Sequence, residues 1–461
     1  MPAPARIAAF QALRAIATGR ADLPAALAVS RDPLHDERDR ALAGDIVTGT
    51  LRWRRAADHL IVRFAGRPAD KIDPDVLEIL RLSVYQLLHL DRVPASAVVD
   101  DAVDLSRFAR QSQASGFVNA VLRSLLRERH RLPLPPRPAC PERSGGESAT
   151  DRAAALAYLG ITHSHPEWLV SRWLDRHGFD AAERWVRFNN TVPSLTLRAN
   201  TLKADRLALA AALRADGIET DATGYAPDGL IVSSGNPMRL LKGGSFFVQD
   251  EASQLVPLTM DARPGERILD LCASPGGKTV ALAAAMHDTG LIVASDIRAR
   301  RMKLLLATVA ASGARSIRVV HIPSSGPLPF QSAFDRVLID APCSGLGTIR
   351  RDPDIRWRRH EGDLGNLAAH QLALLGRAAD LVRPGGRVVY ATCSSEPEEN
   401  EAVVDAFLAT RGDFTLLDLR TPEPGTLAPL LDSRGLFRTL PFAHGLEAFF
   451  AAAIVRGTIS T

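Results

Sequence analysis

Residues 267–279 read RILDLCASPGGKT, and this stretch decides the fold of the C-terminal part of the chain. An apolar strand runs into a Pro-Gly-Gly turn, and a helix begins near Lys278. Short apolar runs and helical segments alternate after it, which is typical of a doubly wound, mostly parallel α/β sheet. The predicted strands are Arg267–Leu271, Leu291–Ser295, Ile317–His321, Arg336–Asp340 and Arg387–Ala391, with late runs at Phe414–Leu419 and Ala448–Val455. We therefore predict an α/β domain over residues 249–461.

Ligands of such sheets bind in the crevice beyond the carboxyl ends of the strands. The glycines of the turn let the backbone approach a ligand, and the start of the next helix favours negative charge. The spacing matches neither a GxGxxG fingerprint nor a Walker loop, so a plain tight turn is the competing interpretation. Asp296 ends the second strand, where a carboxylate can bind both hydroxyls of a ribose or cap the helix near Arg298.

Two cysteines follow later strands. Cys343 lies in the run DAPCSG (340–345), and Cys393 lies in the run TCS (392–394). A single free cysteine is usually a small buried hydrophobe, but two thiols and the Asp340 carboxylate at one sheet edge favour chemistry. A thiolate can add to carbon 6 of a pyrimidine, which makes carbon 5 nucleophilic toward a methyl donor. A carboxyl group on ring nitrogen 3 stabilises the developing charge, and the target base must leave its stack.

Residues 1–132 have a helical pattern throughout, which predicts an all-α bundle. Residues 133–154 are rich in Pro, Ser and Gly and predict an exposed linker, in which Cys140 has no expected role. Residues 155–248 mix helical and strand patterns, so we predict a small α+β domain there.

Composition sets the class of protein. The chain has 461 residues, of which 46% are hydrophobic and 23% charged, a balance typical of folded soluble proteins. We find no apolar run long enough to span a bilayer and no signal-peptide core near Met1, so we expect a cytoplasmic protein without a membrane partner. The four cysteines are too widely spaced for a zinc site, and no metal is expected. The formal net charge of +4 is compatible with a polyanionic partner but is weak support for one.

Arginines are concentrated in two places. The run from Arg350 to Arg359 surrounds Trp357 and is predicted at the rim of the site, where guanidinium groups can bridge phosphates and the indole can stack on a base. The alternative is a solvated loop whose charges partly cancel through Asp352 and Asp354. The second cluster lies in the helical domain, where an ordinary helix surface is the alternative to a phosphate-binding face. Its members are Arg107, Arg110, Arg123, Arg127, Arg129 and Arg131.

The motifs CASPGGK, DAPCSG and TCS, in this order, resemble the RNA 5-methylcytosine methyltransferases that use S-adenosylmethionine. The chain is most similar to the bacterial 16S ribosomal RNA enzymes of the RsmB/Sun type. The resemblance covers nearly the whole chain and includes TGTLRW (48–53), FVNAVLR (117–123), LRANTLK (197–203) and VQDEAS (248–253). It implies a NusB-like helical domain, a small α+β domain and a Rossmann-like methyltransferase domain. The implied substrate is cytosine 967 of 16S ribosomal RNA, free or in a small-subunit assembly intermediate.

The resemblance also implies roles for single residues. Cys393 would be the nucleophile, Cys343 would assist release of the methylated product, and Asp340 would contact both cofactor and cytosine. The implied residues for S-adenosylmethionine are Cys272, Ala273, Ser274, Pro275, Gly276, Gly277, Lys278, Asp296, Ser324 and Asp340. The predicted RNA-binding residues are Lys203, Arg350, Arg351, Arg356 and Trp357.

Two positions depart from the family pattern. Ser324 stands where the family usually has an Asp near the adenine, and a hydroxyl accepts a hydrogen bond more weakly than a carboxylate. We therefore predict weaker cofactor binding than the family norm. The family's Asp-Gly-Phe-Phe appears here as EAFF (447–450), which keeps the charge but changes its reach.

Three other interpretations stay open. The chain could be a non-catalytic RNA-binding adaptor of ribosome assembly, or it could methylate cytosine in another RNA. The third reverses the thiols, because Pro342-Cys343 resembles the nucleophile motif of DNA cytosine methyltransferases.

Overall fold

The computed structural model describes residues 1–139, 149–331, 334–421 and 425–458. The chain forms two compact units, of which the first comprises Met1–Val192 and Ile349–Arg359. The second comprises Pro193–Thr348 and His360–Thr461. Cys140 and the middle of the predicted linker lie outside the described residues. No helix of the described ranges is long and apolar enough to cross a membrane.

The first unit is helical, as the patterns predict. Its helix α5 illustrates the local causes: the Asp73 side chain accepts the backbone N–H of Asp75 at 2.9 Å, and Pro74 occupies the first helical position. One continuous apolar core, which includes Leu13, Leu60 and Leu122, holds the helices of residues 4–127 together. The helices are α1 (Pro4–Ala17), α2 (Leu23–Arg31), α3 (Glu37–Arg52), α4 (Arg54–Ala65), α5 (Pro74–His89), α6 (Ala95–Phe108), α7 (Ser115–Arg127), α8 (Ala149–Ala157) and α9 (Glu167–Asn190).

Helix α9 is broken at Gly178, where φ is 75°. Its two arms are joined by the stacked rings of Trp173 and Trp185, whose centroids are 4.6 Å apart. The arm before Gly178 lies within residues 155–248, the range of the predicted small α+β domain. The structure groups this helix with the first unit instead.

The second unit begins with a small antiparallel sheet. Its strand order is β2-β3-β1-β4, and Leu197 and Phe246 belong to its core. Helix α10 packs on this sheet, which agrees with the predicted α+β mixture. The elements are β1 (Thr196–Ala199), α10 (Arg206–Ala215), β2 (Glu219–Ala222), β3 (Gly229–Ser234) and β4 (Phe246–Val248).

The larger sheet of the second unit has the order β10-β12-β9-β8-β5-β6-β7, with β11 paired to β12. Strands β5 to β9 pair in parallel, whereas β10, β11 and β12 are antiparallel additions. The carboxyl ends of β5, β6, β8 and β9 therefore lie along one edge of the sheet. The strands are β5 (Arg267–Asp270), β6 (Leu291–Asp296), β7 (Ile317–His321), β8 (Phe334–Asp340), β9 (Val382–Thr392), β10 (Phe414–Leu416), β11 (Phe437–Thr439) and β12 (Phe449–Arg456).

Helices cover this sheet, and the predicted α/β class is confirmed. The predicted late runs form β10 and β12 at one end of the sheet. The helices are α11 (Glu251–Leu255), α12 (Gly277–Ala285), α13 (Ala299–Ser312), α14 (Asp363–Ala379), α15 (Glu401–Thr410) and α16 (Pro441–His444).

Candidate active site

The Pro-Gly-Gly turn lies between β5 and α12. The backbone N–H of Gly276 donates to the Ala273 carbonyl at 2.7 Å, and the N–H of Ala273 donates to the Ser295 carbonyl at 2.8 Å. Gly276 has a φ of 106°, and a Cβ there would lie 2.9 Å from the Leu305 side chain. The turn is thus fixed to the end of β6, and only glycine fits its tightest point.

Asp296 lies at that same end of β6 and is buried. One of its carboxylate oxygens accepts the backbone N–H of Arg298 at 2.9 Å. Asp296 therefore contacts the backbone that leads into α13 but does not cap this helix, whose N-cap residue is Arg298 without a side-chain cap. Ser324 is exposed in the loop after β7.

Lys278 and Asp340 form an ion pair at the ends of β5 and β8. Their Nζ and Oδ2 atoms are 2.7 Å apart, and the two side chains are 12% and 29% exposed. Burial disfavours the ammonium charge, but the adjacent Asp340 carboxylate outweighs it and raises the pKa of Lys278. Lys278 is therefore charged at neutral pH and holds the Asp340 carboxylate in place.

The two predicted thiols lie side by side, with Sγ of Cys343 and Sγ of Cys393 at 3.2 Å. Neither forms a disulfide, and both are half-buried. The hydrogen bond with Cys393, together with burial, raises the pKa of Cys343 well above its usual value. Cys343 is accordingly a protonated thiol at neutral pH, and it can donate its proton to the neighbouring Cys393 sulfur.

Asp270 and Cys272 flank the same turn. Asp270 is fully buried, accepts the Thr279 hydroxyl at 2.6 Å, and has its pKa raised to about 7 by burial. Burial also raises the pKa of Cys272, so this third sulfur is an inert thiol. Sequence reasoning missed Asp270, because a carboxylate at the last position of a strand has no linear signature of burial.

Glu399 is the second residue that sequence reasoning missed. Its buried carboxylate accepts the backbone N–H of Ser344 at 2.7 Å and the Ser344 hydroxyl at 2.5 Å. It also accepts the Ser394 hydroxyl at 2.5 Å and the Gln371 amide at 2.9 Å. Ser344 and Ser394 each follow one of the two cysteines, so a single carboxylate joins both cysteine loops. The only linear signal is the run PEENE (397–401), which looks like a solvated acidic turn.

The segment from Arg350 to Arg359 belongs to the first unit. Arg356 is fully buried, and its guanidinium donates to the Ser164 carbonyl at 2.9 Å and to the Asn190 amide oxygen at 3.1 Å. The Trp357 indole N–H donates to the Leu51 carbonyl at 2.6 Å. These two side chains therefore have hydrogen-bond partners inside the helical unit, and their predicted role in RNA binding stays a prediction.

The remaining predicted RNA contacts also have internal partners. The Arg350 guanidinium lies over the Phe188 ring, 4.1 Å from its centroid. The Lys203 ammonium donates to the carbonyls of Gly243 and Ala311 at 2.9 and 2.8 Å, which ties the small sheet to the end of α13. Arg351 is half-buried in the same segment as Arg350. Within the described ranges, no group of three or more His, Cys, Asp or Glu side chains could hold a metal ion.

Family models match three parts of the chain. The NusB family model matches residues 3–127, and a ferredoxin-like domain model described as Methyltr_RsmF/B-like matches residues 165–239. The model described as 16S rRNA methyltransferase RsmB/F matches residues 257–455, which include every strand-end motif discussed above. The fold and these matches define the class of protein as a ribosomal RNA methyltransferase.

Similar proteins extend over most of the chain. The probable ribosomal RNA small subunit methyltransferase B of Bacillus subtilis is 34% identical over 91% of this chain and 91% of its own. The ribosomal RNA small subunit methyltransferase B of Pseudomonas putida is 34% identical over 92% of this chain and 93% of its own. The chain belongs to the 16S rRNA methyltransferase RsmB/F family, which confirms the family named by the resemblance.

Solved structures agree with this assignment. One crystal structure of 26% identity covers 98% of this chain and 99% of its own, with a TM-score of 0.77. A methyltransferase homolog protein from Pyrococcus horikoshii is 27% identical and covers 66% of this chain and 99% of its own, with a TM-score of 0.55. Together with the three family models, the first of these matches confirms the predicted fold class, which combines a NusB-like helical part, a small α+β part and a methyltransferase part.

Proposed function

We propose that this protein transfers a methyl group from S-adenosylmethionine to carbon 5 of a cytosine in 16S ribosomal RNA, through a covalent adduct on Cys393. The observation that carries the proposal is the 3.2 Å separation of the Cys343 and Cys393 sulfurs. The Lys278–Asp340 ion pair lies at the same strand-end edge. Cytosine 967 and a cytoplasmic site of action follow from the family's usual target. Either free RNA or an assembly intermediate fits the proposal.

The residues present fit S-adenosylmethionine. A Cβ at Gly277 would lie 3.1 Å from Oε1 of Gln249, a buried oxygen without a hydrogen-bond partner in the described structure. The turn thus keeps open a cradle that a side chain would fill. The turn residues 272–278, Asp296, Ser324 and Asp340 would hold the cofactor. When bound, it supplies an electrophilic methyl group.

Cys393 attacks carbon 6 of the flipped cytosine, and a carbon–sulfur bond forms. Asp340, fixed by Lys278, contacts the ring and stabilises the charge that develops there. After carbon 5 has gained its methyl group, its proton passes to the Cys343 sulfur, which by then has lost its own proton to solvent. The electrons of that carbon–hydrogen bond restore the double bond between carbons 5 and 6, and Cys393 leaves as a thiolate. Cys343 is suited to this step. Cys393 helps to raise the pKa of Cys343, and this influence ends once the Cys393 sulfur is bonded to carbon.

The test combines methyl transfer with trapping of the adduct. The protein is incubated with 16S ribosomal RNA and labelled S-adenosylmethionine, and 5-methylcytosine is mapped in the product. We expect Cys393→Ala to abolish the protein–RNA adduct and Cys343→Ala to leave a long-lived adduct. Cys140→Ala, which removes a thiol from the predicted linker, is the matched control and should behave like wild type.

Other outcomes would overturn the proposal. The reverse pattern in the two variants would make Cys343 the nucleophile. Transfer to a cytosine of another RNA alone would change the substrate. Absence of transfer to any cytosine, with RNA binding intact, would favour a non-catalytic assembly adaptor.

A further inference from the structure

Residues 297–334 contain neither Asp nor Glu, although the whole chain is nearly neutral. This acid-free run begins directly after β6 and contains helix α13, strand β7 and the loop after it. Ser324 lies in this run. The Asp that the family usually has at that position would have been the single carboxylate of the run. The run carries six cations: Arg298, Arg300, Arg301, Lys303, Arg315 and Arg318.

Four of these cations form what we call the basic face: Arg298, Arg300, Arg301 and Lys303. All four are exposed, and none has an ion-pair partner in the part of the chain that the structure describes. Arg315 differs, because it pairs with Asp288 at 3.6 Å. The Arg318 guanidinium donates to the carbonyls of Arg315 and Ile317. The nearest acid along the chain, Asp296, is buried, so these exposed and unpaired cations produce a locally positive potential that suits a polyanion.

The basic face adjoins the candidate active site. The Ser274 hydroxyl of the Pro-Gly-Gly turn donates to the Arg301 carbonyl at 3.1 Å, and Asp296 accepts the N–H of Arg298. We propose that the basic face binds the phosphates that flank the target cytosine, an inference that rests on the proposed function. RNA is favoured over a lipid surface, because these cations follow directly on the strand end that carries the site.

The experiment compares two double variants with the same change in charge. Arg300→Gln/Lys303→Gln removes two cations from the basic face. Arg420→Gln/Arg434→Gln removes two exposed arginines that are already paired with Asp418 and Asp405. The affinity for a 16S RNA fragment is measured against salt concentration, together with kcat, the KM for RNA and the affinity for S-adenosylmethionine.

We expect the slope of log affinity against log salt to fall by about 1.4 in the basic-face variant, at about 0.7 for each phosphate that a cation no longer neutralises. The KM for RNA should rise roughly tenfold at about 150 mM salt, while kcat and cofactor affinity stay unchanged. The control should keep the wild-type slope.

Three results would overturn the inference. These are equal weakening in both double variants, an unchanged slope, and loss of binding to phosphatidylglycerol vesicles instead of RNA. RNA affinity is measured without methyl transfer. A basic face that does not bind RNA can therefore be distinguished from a protein that does not methylate cytosine.

The Glu399 carboxylate supports a second, independent inference. The carboxylate accepts hydrogen bonds from Ser344 and Ser394, and the backbone carbonyl of Glu399 accepts the Tyr390 hydroxyl at 2.6 Å. Each serine directly follows one cysteine, so Glu399 fixes both loops from one point. We infer that Glu399 is a positioning residue that sets the separation of the Cys343 and Cys393 sulfurs, in support of the proposed reaction.

The test is Glu399→Gln, with Glu398→Gln as the matched control on the neighbouring carboxylate. In the wild type, the Ser344 and Ser394 hydroxyls donate hydrogen bonds to the Glu399 carboxylate. The Gln amide would place N–H groups opposite these hydroxyls, so the two cysteine loops should shift. A misplacement of about 1 Å costs about 10²-fold in rate. We expect kcat to fall by that factor, with the KM for RNA unchanged and the covalent adduct accumulating, because release needs both thiols. Glu399→Asp, which restores the charge, should recover part of the rate.

An unchanged kcat would overturn the role of Glu399, and so would an equal loss in the Glu398 variant. If wild-type protein forms no adduct, the proposed reaction itself fails. The rate at which diamide, a thiol oxidant, links Cys343 to Cys393 still reports the separation of the sulfurs. In that case an unchanged linking rate in Glu399→Gln would reject the positioning role.

Discussion

Two arginine-rich segments of this protein have opposite environments. The segment from Arg350 to Arg359 contains two acids and packs into the helical unit, where Arg356 is fully buried. The basic face at the start of α13 contains no acid, and its cations are exposed. Linear charge density is high in both, and it directed the prediction of RNA binding to the Arg350–Arg359 segment, where that role stays a prediction. The absence of acids over a long run is the more informative signal, because it leaves cations without internal partners.

The buried segment should matter for stability. Arg356→Ala leaves the carbonyls of Ser164 and Asn189 without this donor and opens a cavity, so we expect the first unit to lose about 3–5 kcal/mol of unfolding free energy. Urea unfolding followed by tryptophan fluorescence measures this unit alone. All five tryptophans lie in it, at Trp53, Trp168, Trp173, Trp185 and Trp357.

Arg300→Ala, on the basic face, is the control for Arg356→Ala. We expect its unfolding free energy to stay within about 0.5 kcal/mol of wild type. Equal stability of the two variants would remove the contrast between the segments.

Asp352, in the same buried segment, gives a pH-dependent effect. Burial and the nearby Asp354 raise the pKa of Asp352 from 3.8 to about 6. Folding therefore favours the protonated acid, and its contribution to stability is full below about pH 4 and lost as pH rises through 6. Asp352→Asn should stabilise the first unit by about 1–3 kcal/mol at pH 7.5.

The gain from Asp352→Asn should shrink toward zero below pH 4. Urea unfolding at several pH values checks this. Asp36→Asn, at an exposed carboxylate of the same unit, is the control, and a gain that did not depend on pH would contradict the assignment.

Trp357 should have a smaller effect. Trp357→Phe keeps most of the apolar contact but leaves the Leu51 carbonyl without its donor, so we expect a loss of about 1 kcal/mol. The RNA affinity should not change, since the indole N–H already has an internal partner. A selective loss of RNA affinity with unchanged stability would return Trp357 to the RNA-binding surface. Thermal unfolding and RNA titration on the same sample make the measurement.

The positions of strand ends could be predicted, because short apolar runs stop at turns and polar residues. The predicted Ile317–His321 coincides with β7, and Leu291–Ser295 ends one residue before β6 does. Strand β9 begins at Val382, five residues earlier than predicted. Pro384 and Gly385 predict a turn, and the pairing with β8 does shift register there, with Gly385 at a φ of 75°. The sheet order depends on pairings between distant segments, and periodicity carries no such information.

The thiols could be predicted for a similar reason, since each directly follows an apolar run. Glu399 could not, because its partners Ser344 and Gln371 are distant in the sequence and its burial follows only from packing. The burial of Arg356 is missed on the same grounds. Its acceptors are backbone carbonyls and one Asn190 amide oxygen, and none of these marks the burial in the sequence.

Ser324 links the basic face to the cofactor and gives the smallest predicted effect. Ser324→Asp adds a carboxylate at the family's usual position, so we expect S-adenosylmethionine to bind about threefold more tightly. The same charge enters the acid-free run and should weaken RNA binding about twofold. Ser325→Asp, the control, places the charge one residue along, where RNA binding should weaken without any gain in cofactor affinity. Calorimetric titration of cofactor into each variant decides this, and no gain for Ser324→Asp, or an equal gain for both, would rule out a contact between residue 324 and the cofactor.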